Sequence, residues 1–322
     1  MSLVSIKEGH FVVFFLIVMT VTRIMSFDAV KAYLDLTRIH FSAVWPLLFC
    51  SGLFLGFSGY GGFSWGLVCK SVFIALFGFE AGFVLNDVVD AELDKLDVEQ
   101  DLTRYWRPFG TRPIPNGTIT RNTAVLLFLT LGTAASILIF TLPYPNSVYV
   151  WGIMILSYAL EYFYQLRKRD QSLPFAQLIG RIDFSLFPVA GYLVVGSLDV
   201  NAVFYFLFFY PFAQTHLGLN DIIDYRNDVA RDLKTIPVIY GVKNTKYWIT
   251  CFAVLHLIVT NQFFKHIGGI MGYSFVAGSA LLFAVNLLVW RGETPGDWLK
   301  ALPLFHITLL LYMVSMIANY FI

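Results

Sequence analysis

The chain has 322 residues, of which 57% are hydrophobic and only 13% charged, and its net charge is +1. A mean hydropathy of +0.69 excludes an ordinary soluble domain and points to a polytopic membrane protein. The net charge says nothing more about partners, none of which is expected to be a nucleic acid; the distribution of charge carries the information.

In chain order, Phe11 to Thr22 is apolar but short for a span and is followed by Arg23, so a signal-peptide core, an interfacial helix and a tenth span compete. We expect an interfacial or partly inserted helix, with Asp28 to Arg38 as an amphipathic lead, so that residues 1–40 form an N-terminal segment and 41–322 the membrane domain. Runs long enough to cross the hydrocarbon follow at roughly 41–60, 65–86, 122–142, 147–166, 173–197, 201–220, 246–264, 268–290 and 299–321. These predict an all-α bundle of about nine transmembrane helices, organised as two four-helix units plus a ninth helix. Cys50, Cys69 and Cys251 fall inside predicted spans and read as small buried hydrophobes.

Lys and Arg crowd the connections after spans two, four, six and eight, from Lys95 and Arg104 through Arg167 to Arg169, Arg226 to Lys246, and Arg291. This places the N-terminus on the cytoplasmic side and the C-terminus outside. The connections after spans two and six are also the longest, and we expect short helices there that cap a cavity.

An acidic pattern stands at each of those two places, as Asn86-Asp87-x-x-Asp90-x-x-x-Asp94 and as Asn220-Asp221-x-x-Asp224-x-x-x-Asp228. On a helix, Asn86, Asp90 and Asp94 share one face, with Asp87 beside them, and Asn220, Asp224 and Asp228 repeat the stripe beside Asp221. Stacked like charges repel by a few tenths of a kcal/mol per pair, so two such stripes need a counter-ion. Mg²⁺ fits: it takes oxygen ligands, keeps waters, and binds a few carboxylates together with substrate phosphates. The metal-ligand candidates are therefore Asp87, Asp90, Asp94, Asp221, Asp224 and Asp228. Two facing clusters would hold a diphosphate between bridging metals on the cytoplasmic side. Arg107, Arg112 and Lys234 follow the stripes and suit phosphate oxygens, and Tyr164 and Lys168 lie one helical turn apart at the same level.

With these residues the chain resembles the UbiA superfamily of intramembrane prenyltransferases. The first stripe matches the family's Asn-Asp-x-x-Asp-x-x-x-Asp, and Arg112 to Gly117 is similar to its Arg-Pro-Leu/Ile-Pro-Ser-Gly stretch. Tyr164, Lys168 and Arg169 match Tyr-x-x-x-Lys-Arg, while Asp224, Asp228, Lys234, Thr235 and Pro237 match the second motif and its Lys-Thr-x-Pro segment. Arg38 resembles the arginine that opens the first helix. Two departures stand out: Asp232 occupies a position where many relatives have glycine, and the stretch between Asp94 and Arg112 is about ten residues longer than usual.

The resemblance implies transfer of an isoprenoid chain from its diphosphate to a lipophilic acceptor, an aromatic or quinone precursor or a prenylglycerol phosphate. It implies Asp90, Asp94, Asp224, Asp228, Lys168 and Tyr164 at the reacting centre, with Asn86, Asn220, Arg38, Arg112 and Lys234 binding diphosphate. Aromatic rings would face the allylic cation. A terpene cyclase of the same fold and, in another class, a cation-coupled transporter are the alternatives. Arg181, Asp183, Lys70 and Glu80 lie within predicted spans, as functional groups or as pairs satisfying one another, with Lys70 also able to snorkel. His216 reads first as a satisfied core histidine, with base and ligand as the other readings, and His256 and His306 read as packing.

Overall fold

The computed structural model describes residues 26–322, so the stretch 11–22 lies outside the described residues. Regular structure among the described residues is helical throughout. Ser26 opens α1 (Phe27–Leu36), its hydroxyl accepting from the N–H of Ala29 at 3.2 Å and satisfying a donor the first turn leaves free. Ala32, Asp35 and Leu36 turn inward, as the amphipathic pattern suggests. Arg38 then stops the helix in the left-handed region, at φ 48°.

The main helices follow as α2 (Val44–Tyr60), α3 (Trp65–Asp90), α5 (Arg121–Phe140), α6 (Asn146–Arg167), α8 (Ile182–Tyr192), α9 (Val200–Ile223), α11 (Ile236–Ile267), α12 (Met271–Arg291) and α14 (Ala301–Ala318). Between them sit four short helices, α4 (Asp101–Trp106), α7 (Phe175–Gly180), α10 (Tyr225–Ala230) and α13 (Pro295–Leu299). The expected cap helices are thus present, α4 after α3 and α10 after α9. Side-chain caps start several helices: Thr120 on α5, Asp199 on α9, and a Thr294/Asp297 capping box on α13.

Among the described residues, five helical stretches are long and apolar enough to cross a membrane: Ile39–Tyr60, Trp65–Asp90, Arg121–Phe140, Met271–Arg291 and Pro295–Ala318. The other predicted spans are helical but differ from uniform apolar rods. The stretch 173–197 is broken at Arg181 into α7 and α8. At 11 residues, α8 reaches roughly 16 Å, about half a hydrocarbon core. At the break Arg181 pairs with Glu161 on α6 at 2.9 Å, with Asp183 at 3.8 Å. The α11 helix is interrupted at Gly241, where φ is 81°, a value only glycine adopts freely.

The helices pack in a closed sequence of neighbours: α3 along α5, α6 against α8, α9 along α11, α12 along α14, and α14 back against α2. A second seam joins α2 to α8. There Gly52 and Gly191 let the two backbones touch; a Cβ on Gly191 would lie 1.8 Å from the carbonyl oxygen of Phe49. Aromatic side chains fill the centre, with Phe208, Phe212, Phe305 and Tyr312 fully buried and Phe212 stacked on Phe305 at 4.1 Å. His256 belongs to this core, its Nδ1 donating to the Phe208 carbonyl at 2.9 Å and its Nε2 lying 3.3 Å from the Tyr312 hydroxyl, as expected. Lys70 reaches the Thr141 carbonyl at 3.4 Å at its helix end, and buried Glu80 stands off the cleft described next, its carboxylate without a hydrogen bond.

Candidate active site

Where α3, α6 and α9 end together, the packing leaves a cleft of about 1110 Å³ roofed by α4. Both acidic stripes reach it: Asn86, Asp90 and Asp94 from one side, Asn220, Asp221, Asp224 and Asp228 from the other. Arg38, Phe79, Phe83 and Phe184 line both this cleft and a neighbouring, mainly apolar pocket of about 880 Å³ between α3, α6 and α8. A charged cleft and a greasy pocket therefore lie side by side, with these residues common to both.

The two stripes are alike in sequence and unlike in surroundings. Every carboxylate of the first meets cations. Asp90 accepts from Lys168 Nζ at 2.6 Å and Arg169 at 3.1 Å, and Asp94 from Arg112 at 2.5 Å, with Arg231 3.3 Å away. Asp87 is not on the cleft wall; one residue out of step with the stripe, it is buried between Arg38 at 3.1 Å and Arg107, which donates to both its oxygens at 2.9 and 2.7 Å. It anchors arginines, in contrast to the ligand expected from spacing alone.

The second stripe has almost no such partners. Asp221 keeps a buried Oδ2 with no hydrogen bond. Asp224 accepts from Asn227 at 2.7 Å and only distantly from Arg231, at 3.4 Å. Asp228 accepts from the Thr235 hydroxyl at 2.7 Å. Burial first, then the neighbouring Asp224 and Asp221 charges, raise the Asp228 carboxyl well above the usual carboxylate range. Buried oxygens crowded without counter-charge are what a hard cation relieves. Among the described residues no three acidic or imidazole side chains close into a complete ligand set, so an ion here would fill its coordination with water or phosphate oxygens, as small hard cations do.

The other expected residues separate cleanly. Tyr164 lies in the cleft with its ring between two cations, Lys168 Nζ at 5.2 Å and the Arg181 guanidinium at 4.8 Å. Arg38 stacks on Phe83 at 4.1 Å. Asn86 donates to Glu161 at 2.7 Å, and Asn220 accepts from Trp106 at 3.2 Å. Lys234 is the exception: its amine points away, to Asp232 at 2.5 Å, and that partner is almost fully exposed. Its backbone contributes instead, donating to the Lys168 carbonyl at 2.7 Å.

Four residues of the site were not anticipated. Asp97 forms ion pairs with Arg112, whose Nε lies 2.8 Å away, and with Arg231; the 87, 90, 94, 97 spacing already contained it. Glu161, two turns before Lys168 on the same face of α6, holds Asn86, Gln165 and Arg181. Asp35 is buried on α1 and accepts from the N–H groups of Phe109 and Thr111 at 2.7 and 2.8 Å, pinning the lengthened loop so that Arg107 meets Asp87. No local pattern announces that contact, made across 74 residues. His306, read as packing, bonds instead to Tyr105 at 2.7 Å and to His216 at 3.1 Å.

Known proteins are similar to this chain in sequence and in fold. The chain is 28% identical over 225 residues to the protoheme IX farnesyltransferase of Aquifex aeolicus, covering 68% of this chain and 70% of that one. It is 24% identical over 271 residues to the digeranylgeranylglyceryl phosphate synthase of Sulfurisphaera tokodaii, covering 81% and 86%. The structure of a UbiA homolog from Archaeoglobus fulgidus bound to DMAPP and Mg²⁺ shares the fold, with a TM-score of 0.62 at 18% identity over 89% of this chain and 99% of that one. The family model of the UbiA prenyltransferases matches residues 43–310, and with that span, the paired acidic stripes and the helical bundle, the chain belongs to the UbiA prenyltransferase family.

Proposed function

We propose that the protein ionises an isoprenyl diphosphate with Mg²⁺ and transfers the prenyl chain to a lipophilic acceptor. The observation that carries this is the contrast within the cleft: a cation on every carboxylate of the first stripe, a single distant arginine on the second, and an apolar pocket alongside. The Archaeoglobus relative that holds DMAPP and Mg²⁺ supports the reading. Nine helices would span the bilayer, the short α8 doing so with its flanking segments, and the basic connections would place the cleft on the cytoplasmic side.

Asp221, Asp224 and Asp228 would hold the metal, with Asp90 and Asp94 facing them. Bound Mg²⁺ would neutralise the diphosphate and ease its departure. Arg38, Arg112 and Lys168 are placed to grip the phosphate oxygens. Lys168 can turn from Asp90 because Arg169 remains on that carboxylate, and the Tyr164 ring beneath its ammonium keeps it at the cleft. Phe79, Phe83 and Phe184 line both cleft and pocket, where they would exclude water and present π faces to an allylic cation. The prenyl tail lies in the apolar pocket beyond.

Purified protein given geranyl diphosphate should release diphosphate only with Mg²⁺. Silence with every prenyl chain length, with and without acceptors, would overturn the reading. Lys168→Met removes one charge-assisted hydrogen bond to the leaving group, about 1.5–3 kcal/mol, so donor KM should rise and kcat/KM fall about 10- to 100-fold. Unchanged kinetics would remove Lys168 from the diphosphate site. Asp232 is predicted to behave oppositely. It is exposed and sits at φ 54°, a conformation that glycine adopts freely, in keeping with the glycine that the family resemblance leads one to expect there. Asp232→Gly should relieve left-handed strain, for a gain of about 1 kcal/mol or less, with the Mg²⁺ titration unchanged. A higher Mg²⁺ requirement would make Asp232 a ligand after all.

A further inference from the structure

The mechanism above leaves one cluster of the cleft unused. His216, on α9 one turn before Asn220, lines the cleft, and its Nε2 lies 3.1 Å from Nε2 of His306 on α14. The other ring nitrogen of His306, Nδ1, is 2.7 Å from the Tyr105 hydroxyl on α4. Three groups from three separate helices thus form one hydrogen-bonded line running from the cleft to the cap. The line is held rigidly: His216 stacks on Phe305 at 5.1 Å and 19°, while Trp106 stands edge-on to both imidazoles at 5.9 and 5.2 Å. Trp106 in turn donates to Asn220 at 3.2 Å, tying the cap helix to the second acidic stripe.

Only one proton fits between two Nε2 atoms at 3.1 Å, so at least one ring of the pair is neutral. With Nε2 so engaged, Nδ1 of His216 makes no hydrogen bond among the described residues and is the nitrogen left for a ligand. Arg181, which also lines the cleft, opposes a resting imidazolium. A neutral imidazole beside the reacting centre, with a partner able to share its charge, has the properties of a general base.

We propose that His216 is the base that takes the acceptor's proton, that His306 and Tyr105 position it and disperse the charge, and that the acceptor is therefore a phenol. This rests on the prenyl-transfer reading. The C1–O bond of the prenyl diphosphate breaks, and its electron pair leaves with diphosphate. An electron pair from the phenol's ring carbon or oxygen forms the new bond to C1. The phenol's proton passes to Nδ1 of His216 and reaches solvent when product leaves. Imidazole matches the acidity of a phenol far better than that of an alkyl alcohol, and a simple alkene acceptor, whose cationic adduct gives up its proton to a base as weak as the released diphosphate, needs no imidazole. Tyr105 and Trp106 both lie in the lengthened segment between Asp94 and Arg112, so that segment carries the specificity.

The test uses the full-length protein with geranyl diphosphate, Mg²⁺ and naphthol as the phenol probe. Wild-type protein should form prenylated naphthol. His216→Ala should lower kcat about 100-fold, leave Mg²⁺-dependent binding of a non-ionisable geranyl diphosphate analogue within twofold, and regain at least tenfold with added imidazole. Tyr105→Phe, which keeps the ring and its stacking, should lower kcat severalfold at unchanged KM. Undiminished turnover in His216→Ala overturns the proposal, as does joint loss of turnover and analogue binding without imidazole rescue. If the wild type releases diphosphate yet prenylates no phenol, the base and its acceptor class fall while the donor reading stands. If it neither binds the analogue nor releases diphosphate, the transfer reading falls and the base with it.

Discussion

Asp221→Asn is expected to abolish prenyl transfer while leaving the protein folded and at least as stable as before. Asp221 is buried in α9 with one carboxylate oxygen lacking any hydrogen bond, and Lys168 is turned away to Asp90 at 2.6 Å. A buried charge without an ion pair costs stability, so neutralising it costs little and relieves repulsion within the stripe. On the proposed reading the same change removes an oxygen that Mg²⁺ would use. If that ligand is worth about 4 kcal/mol to the departing diphosphate, the rate falls roughly a thousandfold. Two measurements check this: Mg²⁺-dependent diphosphate release, and thermal unfolding without metal. Near-normal turnover at limiting Mg²⁺ would remove Asp221 from the metal site, and a clear loss of stability would make it a structural acid.

Asp87 holds the equivalent place in the first stripe and should fail in the opposite way. It is clamped by Arg38 and Arg107, and removing one partner of a buried pair costs about 3–5 kcal/mol by stranding the other charges. Asp87→Ala should therefore unfold at visibly lower temperature, with activity lost through displacement of Arg38. On the proposed reading, stripes of the same pattern would do different work: one would organise the cations that hold phosphate, the other would leave oxygens for metal.

That difference was not legible in the repeat itself. Helical spacing brought Asn86, Asp90 and Asp94 into one row and Asn220, Asp224 and Asp228 into another, because periodicity is a local property. Which stripe carries counter-charges depends on chain that returns from elsewhere: Arg38 from before α2, Arg107 and Arg112 from the long loop, Lys168 from α6. Side-chain direction explains the miss at Lys234, where backbone and amine leave the same residue toward opposite sides. Hydropathy located 173–197 as a helical region but not its break, since Arg181 is satisfied by Glu161, a contact between two helices. The histidines at 216 and 306 looked solitary for the same reason, being joined only by the approach of α9 to α14.

The seam between α2 and α8 should be the least forgiving place in the fold. Gly191 faces Phe49, and Gly52 faces Pro188, so closely that an ideal Cβ on either would lie 1.8 or 1.9 Å from a carbonyl oxygen of the other helix. Where a helix meets a flexible side chain, a methyl group is absorbed by a rotamer change; here the obstacle is backbone on both sides. To readmit ordinary contact the helices must part by more than 1 Å or so, forfeiting dispersion along the whole seam. Gly191→Ala should therefore cost at least the upper end of the about 1–3 kcal/mol usual for overpacking. Because α2 follows Arg38 and α8 follows Arg181, parting them also shifts both guanidiniums at the cleft. The expected result is a lower unfolding temperature and, at temperatures where the variant stays folded, a raised donor KM. Gly59→Ala, at a position with nothing within 4 Å of its Cβ, should show neither change. Wild-type stability in Gly191→Ala would mean that the two helices do not meet backbone to backbone.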